Sequence, residues 1–107
     1  MEAILTAVCQ YLEISKSEVI SKCRGRNLVT ARMYFYFFAT KKNSLSDVGR
    51  FLNRQHATVI NGLNRVNGYL QYDAQVMHDL EMINLRLEGY NELVIEKLNL
   101  LELCSQN

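Results

Sequence analysis

The part of the sequence that decides the fold is SLSDVGRFLNRQHATVINGLNRVNGYL, which covers residues 44–70. Ser44 can accept a hydrogen bond from an early backbone N–H, so a short helix is predicted over residues 45–52. After a break at residues 53–55, apolar side chains recur at helical spacing and predict a longer helix over residues 55–70. Two helices joined by a tight connection form a helix-turn-helix, although periodicity alone also fits an ordinary pair of bundle helices.

The second predicted helix has an apolar face and a polar face. The positions predicted to face the core are Val59, Ile60, Leu63, Val66, Tyr69 and Leu70. The positions predicted to face the solvent are Gln55, His56, Thr58, Asn61, Asn64 and Arg65. When such a unit binds DNA, the first turn of its second helix contacts base edges in the major groove and needs hydrogen-bonding side chains. The polar first turn of this helix meets that requirement.

Three further helices are predicted upstream of this unit. Residues 2–12 have the apolar spacing of an amphipathic helix, and Ser15 and Glu18 have the capping-box spacing that begins a short helix ending near Lys22. Residues 28–40 are apolar on most sides, so we expect them to form the central core helix. A platform for stacking bases is the alternative interpretation of this aromatic run.

The connection at residues 23–27 is predicted to be a loop that presents two arginines, Arg24 and Arg26. Asn27 is expected to cap the core helix that follows the loop. Because Arg32 lies near the N-terminal end of that helix, we expect its side chain to point outward beside the two loop arginines.

Downstream of the helix-turn-helix, the pattern changes to a seam of apolar residues at alternating spacings of four and three, with acids on its flanks. The seam consists of Val76, Leu80, Ile83, Leu87, Tyr90, Val94, Leu98 and Leu101. We therefore divide the chain into a helix-turn-helix domain, residues 1–72, and a long acidic C-terminal helix, residues 73–107. Two interpretations stay open for this helix. It pairs two chains into a homodimer through residues 73–104, or it lies back on its own domain with a break at Gly89.

Charge is segregated along the chain, although the net charge is only +1. Residues 16–65 hold ten Lys and Arg and two acids, a balance of +8. Residues 66–107 hold two Lys and Arg and seven acids, a balance of −5. The central part of the chain therefore suits a polyanion, with an ordinary solvated face as the alternative.

Length and composition favour one all-α bundle. The chain has 107 residues, no proline and five glycines, so little interrupts helices, and the patterns above predict about five to six of them. No apolar run reaches the roughly 18 residues that cross a bilayer, and no signal peptide is recognisable. We expect a soluble protein of the cytoplasm without a membrane partner.

The sequence gives no basis for catalysis or for a cofactor. Cys9, Cys23 and Cys104 are odd in number and far apart, so neither disulfides nor a metal site is expected. The two histidines have no nucleophile at useful spacing, and most of the carboxylates cluster on the C-terminal seam. We therefore expect that the protein is not an enzyme.

Two blocks of the sequence resemble the C-terminal DNA-binding domain of the bacterial replication initiator DnaA. The first block is SKCRGRNLVTAR, residues 21–32, and the second is SLSDVGRFL, residues 44–52, followed by RQHATV, residues 54–59. The resemblance covers about residues 4–70. It implies a Trp-repressor-like helix-turn-helix bundle that binds double-stranded DNA sequence-specifically, in replication initiation control or in transcription regulation.

The resemblance also implies roles for individual residues. Arg26 matches a loop arginine that enters the minor groove, and Arg32 matches an arginine that reads a base edge. His56 and Thr58 match residues that meet bases or phosphate, and Leu45 matches a contact from the first helix of the unit. The complete expected DNA-contact set is Arg24, Arg26, Arg32, Lys41, Leu45, Arg54, Gln55, His56, Ala57, Thr58 and Asn61.

Some features depart from the family. Gln55 stands where the family usually has aspartate, and glutamine pairs with adenine whereas aspartate accepts from cytosine, so the preferred DNA sequence is expected to differ. No Gly-x-x-x-x-Gly-Lys-Ser/Thr loop occurs, so no nucleotide is expected to bind. A stand-alone protein is our expectation, with a fragment as the alternative. The alternative function is a protein-protein interaction module whose DNA-binding surface is vestigial.

Overall fold

The computed structural model of the chain describes residues 1–88. Over this range the element order is α1 (Glu2–Leu12), α2 (Lys16–Ile20), α3 (Arg26–Ala39), α4 (Leu45–Phe51), α5 (His56–Leu70) and α6 (Ala74–Leu87). No strand occurs within residues 1–88, so the predicted all-α class is confirmed. No helix in this range is both long enough and apolar enough to span a membrane.

Helix α3 lies at the centre of the bundle. It packs against α1, α2 and α5, while α4 packs on α5, and α6 contacts α1 and α5. Tyr34, Phe35 and Tyr36 are at most 2% exposed. The aromatic run of α3 is therefore core, as predicted, and these three rings are not available as a stacking platform for bases.

Side-chain caps set the starts of three helices. The Oγ of Ser15 accepts from the Glu18 N–H at 3.2 Å and donates to the Glu18 carboxylate at 2.9 Å. The Oγ of Ser44 accepts from the Asp47 N–H at 3.1 Å. Asp73 begins α6 in the same way, because its side chain accepts from two backbone N–H groups of the first turn. The caps predicted at Ser15 and Ser44 are thus confirmed.

The predicted cap at Asn27 is wrong. Helix α3 begins at Arg26, and the N-cap residue is Gly25, whose backbone is extended with φ −71° and ψ 151°. Because the extended residue that precedes a helix is Gly25, Asn27 lies inside the first turn and caps nothing. Arg26 is accordingly the first residue of α3 and not part of the loop before it.

The described part of the predicted C-terminal element lies back on its own domain. Val76, Leu80 and Ile83 of α6 are buried in the same core cluster as residues of α1, α3 and α5. The predicted homodimer through residues 73–104 therefore gains no support from α6, since these seam positions are occupied within the chain. Residues 89–107 of the predicted acidic helix lie outside the described residues.

A buried carboxylate ties α6 to the bundle. Asp79 is 8% exposed, and its side chain accepts from the Tyr11 hydroxyl at 2.6 Å, the Tyr34 hydroxyl at 2.7 Å and the Gln75 amide at 2.8 Å. The hydrogen bond to the carboxylate, together with burial, raises the pKa of Tyr11 to about 12. Burial and the hydrogen bond also raise the pKa of Tyr34. The sequence pattern places acids on the flanks of the apolar seam, whereas this acid is buried in the bundle.

Candidate nucleic-acid interface

The helix-turn-helix is formed by α4 and α5 with the turn at residues 52–55. Asn53 turns the backbone in the left-handed region, with φ 56°, and the Arg54 N–H donates to the Gly49 carbonyl at 2.7 Å. A Cβ at Gly49 would lie 2.6 Å from the Arg54 carbonyl oxygen. The small residue on α4 therefore sets how closely the two helices approach each other.

A second glycine fixes α5 against the core helix. A Cβ at Gly62 would lie 2.6 Å from a ring carbon of Tyr36, which is fully buried in α3. Val59 and Val66 are buried on the same side of α5, as predicted, but Ile60 is 36% exposed and its predicted inward position is wrong. The Tyr36 ring leaves no room for a larger side chain at Gly62.

The first turn of α5 is exposed, as predicted. Gln55 is the N-cap residue, with an extended backbone, and His56, Ala57, Thr58 and Asn61 follow it on the open face of the helix. These side chains are free to form hydrogen bonds or apolar contacts with a molecule that approaches from outside.

Beside this turn lies a cleft of about 560 Å³, which we call the basic cleft. It opens between α5 and the connection from α2 to α3, with α3 as its floor. Its lining residues are Lys22, Arg24, Val29, Arg32, Met33, Tyr36, Asn53, Arg54, Gln55, Thr58, Asn61, Gly62 and Arg65. Five of them are cationic, and within the described part of the chain no acidic residue lines the cleft. Such a surface binds anions.

The basic cleft brings together six of the predicted contact residues. These are Arg24, Arg32, Arg54, Gln55, Thr58 and Asn61. Arg26, Lys41, Leu45, His56 and Ala57 lie outside its lining. The Lys41 ammonium sits 4.5 Å from the centre of the Phe37 ring, next to the end of α3, and Leu45 is half-buried at the start of α4.

The predicted contact set omitted two cationic residues of the cleft, Lys22 and Arg65. Both lie in the basic segment of the sequence, and helical spacing had already placed Arg65 on the exposed face of α5. The available signal was therefore a positive charge at a position that the helical spacing predicts to be exposed. What the sequence did not contain was the approach of the α2 end to α5, which makes Lys22 part of the same surface.

Arg32 does not point outward, contrary to the expectation from sequence. It is 8% exposed, and its Nε donates to the Val19 carbonyl at 2.9 Å while its Nη2 donates to the Ser21 carbonyl at 2.8 Å. A helix as short as α2 leaves its last carbonyls without intrahelical partners, and the guanidinium supplies donors to them. Burial, with the nearby charge of Arg54, lowers the pKa of Arg32.

Arg54 reaches the same carbonyl from the turn of the helix-turn-helix. Its Nη2 donates to the Ser21 carbonyl, and its Nη1 donates to the Leu52 carbonyl at 3.0 Å and to the Ile20 carbonyl at 3.4 Å. Neither Arg32 nor Arg54 is paired with a carboxylate of residues 1–88. Two guanidiniums thus converge on one backbone oxygen, and no acid of residues 1–88 neutralises them.

A buried tyrosine hydroxyl lies at the floor of the cleft. The Tyr36 hydroxyl is buried and unpaired among the described residues. Burial raises its pKa, and the positive charges of Arg54 and Arg32 oppose that rise. Both guanidiniums therefore exert their field on the floor of the cleft as well as on the carbonyls that they bind.

Comparison with known proteins agrees with this geometry. The chain matches the family model described as the bacterial dnaA protein helix-turn-helix over residues 1–66. The chromosomal replication initiator protein DnaA of Oleidesulfovibrio alaskensis is 33% identical over 89 residues, which cover 78% of this chain and 19% of the relative. The protein of the same name from Bacteroides fragilis is 31% identical over 94 residues, which cover 85% of this chain and 20% of the relative.

A third protein of this name, from Thermomicrobium roseum, is 32% identical over 89 residues, which cover 80% of this chain and 19% of the relative. The chain thus spans about a fifth of the length of the curated relatives that it matches. The matched family domain is a DNA-binding domain and not a catalytic one. The match to the family model over residues 1–66, together with these relatives, shows that this chain belongs to the bacterial DnaA helix-turn-helix family.

Proposed function

We propose that this chain binds double-stranded DNA sequence-specifically and acts in the control of replication initiation. The observation that carries the proposal is the basic cleft, which has five cationic and no acidic residues among the described residues that line it, beside the exposed polar turn of α5. Cations without acidic neighbours attract the phosphate backbone, and an exposed polar turn suits the reading of base edges.

In the proposed complex the first turn of α5 enters the major groove. Gln55, His56, Thr58 and Asn61 offer hydrogen-bonding groups to base edges, and the Ala57 methyl suits contact with a thymine methyl group. All five residues are exposed, so none has to leave the core in order to bind.

The connection from α2 to α3 lies on the other side of the basic cleft and, with Arg26, faces the adjacent minor groove in this proposal. One sugar-phosphate strand separates a major groove from its neighbouring minor groove, so that strand lies in the cleft, where Lys22, Arg24 and Arg65 face its charge. Lys41 and Leu45, at the end of α3 and the start of α4, contribute further backbone contacts.

The printed names of the relatives support the biological role. They are chromosomal replication initiators, and this chain corresponds to about a fifth of their length. We therefore place this chain at DNA sites that control initiation. Mapping of the bound chromosomal sites distinguishes this role from transcription regulation, which predicts occupancy at promoters instead of replication origins.

The test is gel retardation with the duplex selected from a random-sequence pool, compared with an unselected duplex over a series of salt concentrations. Neutralising about five phosphates predicts a slope near −4.5 in a plot of log affinity against log salt. Asn61→Ala is expected to weaken binding to the selected duplex alone, since it removes a base contact. Arg50→Ala is the matched control, because Arg50 is exposed on α4, outside the cleft, and paired with Asp47.

Failure of the wild-type chain to retard any duplex would refute the proposal. Equal affinity for the selected and the unselected duplex would refute its sequence specificity. Binding of an acidic polypeptide in place of DNA would support the protein-interaction alternative.

A further inference from the structure

We propose that Tyr36 is a positioning residue for DNA binding: in the complex its hydroxyl accepts a hydrogen bond from the Arg54 guanidinium and directs that guanidinium at a phosphate of the bound strand. This role rests on the proposed function, because the strand concerned is the one placed in the basic cleft. It adds a residue of the core helix α3 to those that determine binding.

The Tyr36 hydroxyl gains nothing from folding. Tyr36 is 2% exposed, and its hydroxyl is closed off from the solvent and has no hydrogen-bond partner within residues 1–88. The Tyr34 hydroxyl of the same helix, in contrast, donates to the Asp79 carboxylate at 2.7 Å. A buried hydroxyl without a partner destabilises a fold, so the ring alone would serve the core better at position 36.

The place of this hydroxyl brings it close to the arginines of the cleft. Tyr36 lines the basic cleft together with Arg32 and Arg54. Its ring packs directly on Gly62, where a Cβ would lie 2.6 Å from a ring carbon, so α5 holds the ring in place. The charges of Arg54 and Arg32 oppose the rise in the pKa of the Tyr36 hydroxyl, that of Arg54 more strongly. Arg54 is therefore the donor best placed to become its partner.

The Arg54 guanidinium has an unused donor in the described part of the chain. Its Nη1 carries only two hydrogens but lies near three carbonyl oxygens, at 3.0, 3.3 and 3.4 Å. Its Nε makes no hydrogen bond with a residue of the range 1–88. Because Arg54 is only half-buried, its guanidinium can turn from these long contacts toward an anion in the cleft.

A phosphate in the cleft attracts the Arg54 guanidinium away from the carbonyls, since a charge-assisted hydrogen bond is stronger than a neutral one. The planar fork has donors on more than one edge. The Tyr36 hydroxyl accepts from one edge, and another edge then faces the phosphate. The hydroxyl thus obtains its partner only in the complex, and the hydrogen bond that the free chain lacks contributes to the affinity for DNA.

Unfolding in urea tests the free chain. Tyr36→Phe removes the hydroxyl and keeps the ring, and it is expected to unfold at a higher urea concentration than the wild type, because it no longer buries an unpaired polar atom. Tyr34→Phe is the contrasting control and is expected to unfold at a lower concentration, because Asp79 loses a donor. A lower midpoint or loss of the fold for Tyr36→Phe would overturn the proposal, since the hydroxyl would then stabilise the free chain.

Gel retardation tests the complex. Tyr36→Phe is expected to bind the selected and the unselected duplex about tenfold more weakly, because a phosphate contact carries no sequence information. Its salt slope is expected to become shallower by about 0.9, although the substitution removes no charge. Tyr72→Phe is the matched control and should bind like the wild type, since Tyr72 is 76% exposed in the turn after α5 and lies outside the cleft lining.

Two results of this assay have different meanings. If the wild-type chain binds DNA and Tyr36→Phe binds equally well with an unchanged salt slope, the positioning role is overturned and the proposed function stands. If the wild-type chain retards no duplex, the proposed function is refuted and the positioning role falls with it.

A double-mutant cycle tests whether Tyr36 acts through Arg54. Arg54→Met removes the guanidinium, and in this background Tyr36→Phe is expected to cause no further loss of affinity. A second loss of about tenfold would overturn the proposal, because the hydroxyl would then act on DNA without Arg54.

Nitrogen NMR of the arginine side chains decides the same point if circular dichroism shows that Arg54→Met is unfolded. The Arg54 Nε–H is expected to exchange with the solvent more slowly in the DNA complex of the wild type than in that of Tyr36→Phe. Equal exchange in the two complexes would overturn the proposal.

Discussion

Replacing Gly49 with alanine tests how closely the two helices of the helix-turn-helix must approach. The new Cβ would lie 2.6 Å from the Arg54 carbonyl oxygen and 3.4 Å from a methyl carbon of Val59. The oxygen belongs to the backbone and cannot rotate away. The contact between α4 and the turn therefore has to open by about 0.8 Å before an ordinary van der Waals separation is restored.

The cost follows from three contributions. Alanine stabilises a helix by about 0.5 to 1 kcal/mol relative to glycine. Overpacking of a tight contact costs about 1 to 3 kcal/mol, and weakening the hydrogen bond from the Arg54 N–H to the Gly49 carbonyl costs about 1 kcal/mol. We expect Gly49→Ala to destabilise the chain by a net ~1 to 3.5 kcal/mol.

Gly68 supplies the matched control, since a Cβ at this position in α5 would meet nothing within 4 Å. Gly68→Ala is expected to stabilise the chain by about 0.5 to 1 kcal/mol, because alanine has a higher helix propensity than glycine. Urea unfolding followed by circular dichroism measures both free energies, and gel retardation should show weaker DNA binding for Gly49→Ala only. A Gly49→Ala chain that is as stable as Gly68→Ala would refute the argument from close approach.

Asp79→Ala leaves two tyrosine hydroxyls without their acceptor and should lower the free energy of unfolding by about 3 kcal/mol; a loss under about 0.5 kcal/mol in urea unfolding would contradict this role. Folding raises the pKa values of Tyr11 and Tyr34 above the ordinary 10.0, so their contribution to the free energy of unfolding should be complete below about pH 10 and should fall between pH 10 and 12. Unfolding curves across that range should show a weaker fall for Asp79→Asn. Glu13 ends α1 in the left-handed region with φ 58°, which glycine adopts more readily than other residues. Glu13→Gly should therefore raise the free energy of unfolding by about 1 kcal/mol and with it the melting temperature, whereas Glu13→Ala should raise neither.

The helices could be predicted from sequence because their signals are local. Ser15 and Ser44 satisfy N–H groups only three residues away, and the period of the apolar residues reports which side of each helix meets the core. The exposed polar turn of α5 was predictable for the same reason, since the spacing of apolar residues within one helix indicates which of its side chains point to the solvent.

Other features depend on partners that are distant in the sequence, and local patterns do not report them. Pattern assigns a charged residue to the surface, yet Arg32 is buried by carbonyls of α2, and Asp79 is buried by hydroxyls of α1 and α3. The basic cleft was only partly predictable, because Lys22 joins it through the approach of α2 to α5. The close contact at Gly62 was not predicted, because the ring that a side chain there would meet, Tyr36, belongs to another helix.

The carboxylate of Asp79 also has a consequence for the order of events on the ribosome. Its hydroxyl partners, Tyr11 and Tyr34, are made early, but Asp79 is added only after all of α4 and α5 have been synthesised. Until then a nascent chain carries α5 without the carboxylate that ties α6 to α1. We expect competence for binding to be acquired late in translation, in one cooperative step.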